Sequence, residues 1–189
     1  WLIPAAQWHA GGDTLPDGTF YNPNMPSEEV FTSPMRGRCE GTLVSSMPLS
    51  YQGNLIDHFS VDFENGRAVS CKAEQGQELL EKMIAMDEGA AMLGELALVP
   101  VESPIYQTGI LFYNTLFDEN AACHVALGRG FNEVVPGFED MSSEELKARG
   151  INDSIIHVDF MIGYKDLSIT GYTKDGSSVK IFENGSWAI

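Results

Sequence analysis

Residues 55–71, Leu55-Ile56-Asp57-His58-Phe59-Ser60-Val61-Asp62-Phe63-Glu64-Asn65-Gly66-Arg67-Ala68-Val69-Ser70-Cys71, decide the fold class. Apolar and polar residues alternate up to Glu64-Asn65-Gly66 and again after it. Asn-Gly supplies the positive φ of a two-residue turn, so the stretch reads as a β-hairpin. Similar signals flank it. Residues 38–47 are β-rich, and Leu167–Thr173 faces Val179–Phe182 across Lys174-Asp175-Gly176 before Asn184-Gly185 turns the chain toward Trp187. Helix is scarcer. Gln75–Asp87 has a roughly 3.6-residue apolar period, Ser142 and Glu145 stand at capping-box spacing ahead of Gly150, and a third helix is expected within residues 118–127. The Gly/Pro/Asn-rich residues 10–26 read as a loop. Strands with a few short segregated helices define an α+β domain.

The 189 residues are 43% hydrophobic and 20% charged, enough for one sizeable core. The net charge of −16 repels phosphate backbones and anionic lipid, so neither nucleic acid nor membrane is an expected partner. Cys39, Cys71 and Cys123 form no CxxC pair and are expected to be reduced thiols in a cytoplasmic protein. Because the chain opens on Trp1, a piece of a longer polypeptide is expected.

Four segments place metal-competent groups among apolar neighbours. In Ile155-Ile156-His157-Val158-Asp159-Phe160-Met161-Ile162-Gly163, strand alternation puts His157 and Asp159 on one face, about 6 to 7 Å apart along the backbone, and Ile156, Val158, Phe160 and Ile162 on the other. An ordinary half-solvated strand has the same pattern. In Leu93-Gly94-Glu95-Leu96-Ala97-Leu98-Val99-Pro100, Glu95 sits in an apolar run where an ionised carboxylate is costly without a partner, a cation or a wet edge. Pro26-Ser27-Glu28-Glu29-Val30-Phe31-Thr32-Ser33-Pro34 has adjacent acids that alone are uninformative. In Phe117-Asp118-Glu119-Asn120-Ala121-Ala122-Cys123-His124, Glu119 and His124 would lie about 140° apart on a helix, so they share a site only if Glu119 precedes the first turn. His124 also reads as a core histidine. Together the carboxylates and imidazoles suit one or two hard-to-borderline divalent ions. His9 and His58 fit no such pattern and read as surface or loop groups. Cys123 reads as a buried thiol about 100° from His124 on a helix, and the Met-rich residues 83–92 as core.

In this order, NPNMPSEEVFTSP, DEGAAMLGELALVPVESPI, LFYNTLFDENAACHVALG, INDSIIHVDFMIG and the closing IFENGSWA resemble the C-terminal catalytic domain of the thermophilic-aminopeptidase metallopeptidases. That is the family of aminopeptidase T, aminopeptidase S and PepS, and the likeness runs from about Phe20 to Ala188. The resemblance implies a dinuclear zinc or cobalt site with ligands Glu29, Glu95, Glu119, His124, His157 and Asp159, Glu95 bridging. It also implies an upstream α/β domain absent here, a homodimer, and removal of N-terminal residues from peptides with a free N-terminus and with little side-chain discrimination. Two ions would activate a bridging water, and Glu28 is the first candidate to take its proton, with Glu119 the alternative if it is not a ligand. One departure stands out. Seven residues after His124 the family tends to carry a tyrosine proposed to stabilise the transition state, and this chain has Phe131. A lost donor of that kind costs about 2.7 to 4 kcal/mol, unless a group such as Tyr164 substitutes. Two further readings stay open: a metal-binding and dimerisation module with little activity, and a mononuclear or structural metal site with Glu29 and Glu119 as surface acids.

Overall fold

The computed structural model describes residues 1–189. In chain order the strands are β1 (His9–Ala10), β2 (Asp13–Thr14), β3 (Phe20–Tyr21), β4 (Val30–Thr32), β5 (Gly41–Val44), β6 (Leu49–Tyr51), β7 (Asn54–Glu64), β8 (Arg67–Gln75), β9 (Leu93–Leu98), β10 (His124–Gly128), β11 (His157–Met161), β12 (Ile169–Tyr172), β13 (Ser178–Glu183) and β14 (Ser186–Trp187). The helices are α1 (Gln77–Ile84), α2 (Pro104–Thr108), α3 (Thr115–Glu119) and α4 (Ser143–Arg149). This is the expected α+β class.

The expected hairpin is β7–β8, longer than its alternation alone showed. Asn65 and Gly66 take φ of 50° and 77°, the pair of positive values that matches the twist of the strands. A Cβ on Gly66 would stand 2.1 Å from the Gly37 backbone, so glycine is required there twice over. The C-terminal pairing is β12–β13–β14, and α4 has its capping box at Ser142 and Glu145 and ends at Gly150. Helix α1 is shorter than expected because Gly76 takes a left-handed conformation just before it and the helix stops at Ala85. Of the methionines near it, Met83 and Met92 are buried and Met86 is exposed. The opening segment carries the small β2–β3 pairing where a loop was expected.

The helix expected within residues 118–127 is corrected. Helix α3 ends at Glu119, and His124–Gly128 is strand β10, buried at all five positions. A short, continuously apolar run cannot be assigned from periodicity. Here pairing on both edges decides, because β10 is hydrogen-bonded to β9 and to β11.

The central sheet is antiparallel, in the order β1-β4-β9-β10-β11. One face packs on the second sheet, in which β7 is flanked by β5, β6 and β8. Ile56, Phe59, Val61 and Phe63 of β7 meet Leu93, Val125, Leu127, Val158 and Phe160, with Leu80 and Met83 of α1 closing the edge. A smaller cluster of Ile3, Val134, Val135, Leu146 and Ile151 lies under α4. The other face of the central sheet carries the chemistry.

Candidate metal centre

Register explains how the site face is assembled. Ala126 of β10 pairs with Asp159 on one side and Glu95 on the other, and Gly128 pairs with His157. Two acids on strands either side of a third meet only if the residue between them is small, and Ala126 is fully buried beneath them. Strict alternation would put Leu93 and Glu95 on the same face. The register slips between Ala126 and Leu127, so Leu93 pairs with Leu127 and Gly94 is the extra residue of a β-bulge. Leu93 therefore enters the core while Glu95 stays on the site face. A Cβ on Gly94 would lie 2.2 Å from the Arg129 carbonyl oxygen, so only glycine fits the bulge.

The other members arrive from flanking segments. Phe31 pairs with Ala97 and with His9, which sets Glu29, two residues earlier, on the same face. The Glu28 backbone N–H donates to Asn120 Oδ1 at 2.5 Å, and Asn120 Nδ2 donates to the Leu116 carbonyl at 2.8 Å. Asp118 accepts from the backbone of Phe112 and Asn114. Asp118 and Asn120 thus fix the turn that carries Glu119, and Asn120 also ties it to the Glu28-Glu29 segment.

Two groups of ligand atoms result, each within 4.8 Å: Glu29, Glu95 and His124; and Glu95, His157 and Asp159. Glu95 belongs to both. His124 Nε2 lies 2.9 Å from Glu29 Oε2, while His157 Nε2 lies 3.1 Å from Glu95 Oε2 and 3.3 Å from Asp159 Oδ1. The Nδ1 atoms of His124 and His157 are 3.0 Å from the Ala122 carbonyl and 2.7 Å from the Arg129 carbonyl. Donating there leaves both Nε2 atoms turned to the acids, the arrangement by which proteins orient metal-binding imidazoles. Glu95, His124 and Asp159 are 4%, 1% and 6% exposed.

Without a cation the burial is expensive. Burial pushes Glu95 up to about 7, although His157 hydrogen-bonds to it. Burial, with the charge of Asp159 next, pushes Glu119 up to about 8. Burial alone would lower both histidines, but their carboxylate partners prevail and lift His124 to about 10 and His157 to about 11. Burial would raise Asp159, and the neighbouring charges of His157 and His124 together outweigh that and hold it low. Glu29 Oε2 and Asp159 Oδ1, one in each group, are buried with no well-formed hydrogen bond. Buried oxygens in that state, beside imidazoles already oriented, fit divalent metal ions.

The site opens into a cavity of about 770 Å³ whose wall includes Glu29, Glu95, Glu119, His157 and Asp159 and contains no lysine or arginine. The family pattern described as thermophilic metalloprotease (M29) matches residues 2–187. The chain belongs to the M29 family. Aminopeptidase 2 of Geobacillus stearothermophilus is 49% identical over 99% of this chain and 45% of its own length. Aminopeptidase AmpS of Bacillus subtilis (strain 168) is 51% identical, and aminopeptidase T of Thermus aquaticus 45%, each over 96% of the chain and 44% of the relative. The structure of wild-type AmpT from Thermus thermophilus superimposes with a TM-score of 0.94 at 41% identity, covering all of this chain and 46% of that one. This M29 chain thus spans about half the length of the curated relatives it matches.

Of the residues singled out from sequence, the M29 fold gathers five into the two groups and places Glu119 on the wall of the same cavity, in neither group. Glu28 is exposed and does not line the cavity. Tyr164 is no stand-in for the missing tyrosine: its hydroxyl donates to the Ser45 carbonyl at 2.7 Å, and it too is absent from the cavity wall. Cys123 is a buried thiol as expected, but it lies just ahead of a strand, bonded to the Val99 backbone, and burial raises it to about 11. His58 is exposed. His9 departs from expectation. It is half-buried in β1, faces the cavity, and its Nε2 lies 3.1 Å from the Glu133 carbonyl. No spacing rule could find it, because its place depends on pairing with Phe31, 22 residues on.

Proposed function

We propose that this chain is the metal-binding C-terminal part of a two-domain, cytoplasmic, homodimeric aminopeptidase that removes N-terminal residues from peptides. The observation that carries the reading is the pair of ligand groups sharing Glu95, each with a buried carboxylate oxygen lacking a well-formed hydrogen bond. In it, Glu29 and His124 would hold one ion and His157 and Asp159 the other, with Glu95 shared by the two groups and Glu119 as the sixth ligand. Two divalent ions, zinc or cobalt, would supply Lewis acidity there, giving a nucleophilic water at neutral pH and a polarised scissile carbonyl.

The chain's own residues do the rest. The Ala122 and Arg129 carbonyls keep both imidazoles in one tautomer, so each presents Nε2 without reorganisation. Asn120 couples the Glu119 turn to the Glu29 segment and holds those two carboxylates in register. A wall rich in acids and free of lysine and arginine attracts the cationic amine at a peptide's N-terminus. Glu28 reaches the site only by turning in from the surface, so its part in proton transfer is expected to be small.

Metal content by mass spectrometry and hydrolysis of leucine p-nitroanilide test the reading. Two ions per chain with metal-dependent release support it. A content that stays near one in excess zinc or cobalt refutes the dinuclear centre. Metal binding without hydrolysis, in the full-length polypeptide as in this chain, supports a binding and dimerisation module instead.

A further inference from the structure

The cavity has a second kind of surface. Phe131 stands edge-on to the His157 imidazole with ring centroids 5.0 Å apart, Phe31 packs on Phe131 at 4.8 Å, and His9 continues the row at 5.9 Å. Val135 and Phe138 extend this wall in the same cavity. The Phe131 backbone N–H donates to Ser33 Oγ at 2.8 Å, which fixes the segment that carries the ring. Phe31 and Phe131 are only half-buried, so apolar ring surface is bare inside a cavity otherwise dominated by carboxylates. Bare apolar surface beside a reaction centre is stabilised when an apolar part of a ligand covers it.

Given the aminopeptidase reading, on which this step rests, the amine, carbonyl and side chain of a substrate's first residue radiate from one carbon. The wall beside His157, where Phe131 stands, is the apolar one within reach of that carbon, and an apolar side chain gains by lying against it. We propose that Phe31 and Phe131, extended by Val135 and Phe138, form the subsite for the side chain of the first residue, and that this subsite selects apolar residues such as leucine. An acidic side chain would find no lysine or arginine to pair with anywhere on the cavity wall. The phenyl of Phe131, unlike a phenol, adds no polar group to interrupt the wall. Selection of this kind replaces the low discrimination implied by the family resemblance.

The test uses the full-length, metal-loaded polypeptide and compares kcat/KM for leucine and alanine p-nitroanilides, with binding of free L-leucine and L-alanine by calorimetry as a second readout. The wild type is expected to favour leucine by at least about tenfold, as apolar pockets do for a few methylenes. Phe131→Ala is expected to bring the ratio within about threefold, and Phe131→Leu to keep most of it, with metal content unchanged in both. Phe31→Leu, milder for folding, should lower the ratio part-way. A ratio unchanged in Phe131→Ala and Phe31→Leu while hydrolysis persists overturns the subsite and leaves the aminopeptidase reading standing. Absence of hydrolysis for every substrate in the metal-loaded wild type overturns that reading and the subsite with it.

Discussion

The β7–β8 hairpin and the β9–β10–β11 strands lie on opposite sides of one core, yet they are built on opposite rules. In β7, Phe59, Val61 and Phe63 alternate as buried apolar residues, Ile56 is buried one step out of phase across His58, whose φ is 47°, and the intervening Asp62 is satisfied by Thr42 and Ser70 at the surface. In β9–β11 the inner face obeys the same logic, but the outer face buries Glu95, His124 and Asp159. The first region is organised for stability. The second gives stability up, since clustered buried carboxylates and imidazoles are costly until a cation joins them. The contrast teaches that the proposed metal site is the place where the sheet breaks its own pattern.

The largest effect is expected at Glu95, the acid common to both ligand groups. Glu95→Gln is expected to abolish binding of two ions and to lower kcat by a factor of about 10³ or more, as when a transition-state charge partner is lost. Its melting temperature without metal should hold or rise, since a buried charge is removed; metal content and calorimetry check both. The reciprocal change is Phe59→Ala, which should cost about 3 to 5 kcal/mol of stability and leave metal stoichiometry intact at low temperature.

Ala126→Val sharpens the contrast, because it adds volume where Glu95 and Asp159 converge. Overpacking of about 1 to 3 kcal/mol is expected, with loss of the ion proposed at His157 and Asp159, whereas Ala126→Gly should keep the metal content of the wild type. Unchanged stoichiometry in the valine variant would show that the small floor is not what brings the acids together.

A pH profile of the metal-free protein separates the regions without mutation. Glu95 and Glu119, raised to about 7 and 8 from an ordinary 4.5, and His124 and His157, raised to about 10 and 11 from 6.5, are all stabler protonated in the fold. Their contribution is complete below the ordinary values and is lost as pH rises through the raised ones, so thermal stability should fall from about pH 4.5 to about pH 11, the two glutamates acting in the lower part of that range and the two histidines in the upper. Asp159, held low, acts only below this window. Saturating zinc should cancel the fall, because ions replace the protons. A flat profile in chelator would contradict the burial argument. Smallest of all is Glu28→Gln, expected to change kcat by less than about tenfold.

The hairpin, the capping box of α4 and the α+β class were legible in the sequence because turn geometry and side-chain alternation are local properties. The HxD strand was legible for the same reason: β11 alternates without interruption, so His157 and Asp159 share a face whatever they pair with. The six proposed ligands were legible through resemblance to a family, not through spacing. Three things were decided only by the tertiary structure. His124–Gly128 became a strand because β9 and β11 were there to pair with it. Glu95 left the core face because a bulge at Gly94 moved it out of phase with Leu93. Phe31, Phe131 and His9 formed one wall because strand pairing joined segments far apart in the chain. Pairing partners, bulges and cavity walls depend on contacts between distant segments, and no local period encodes them.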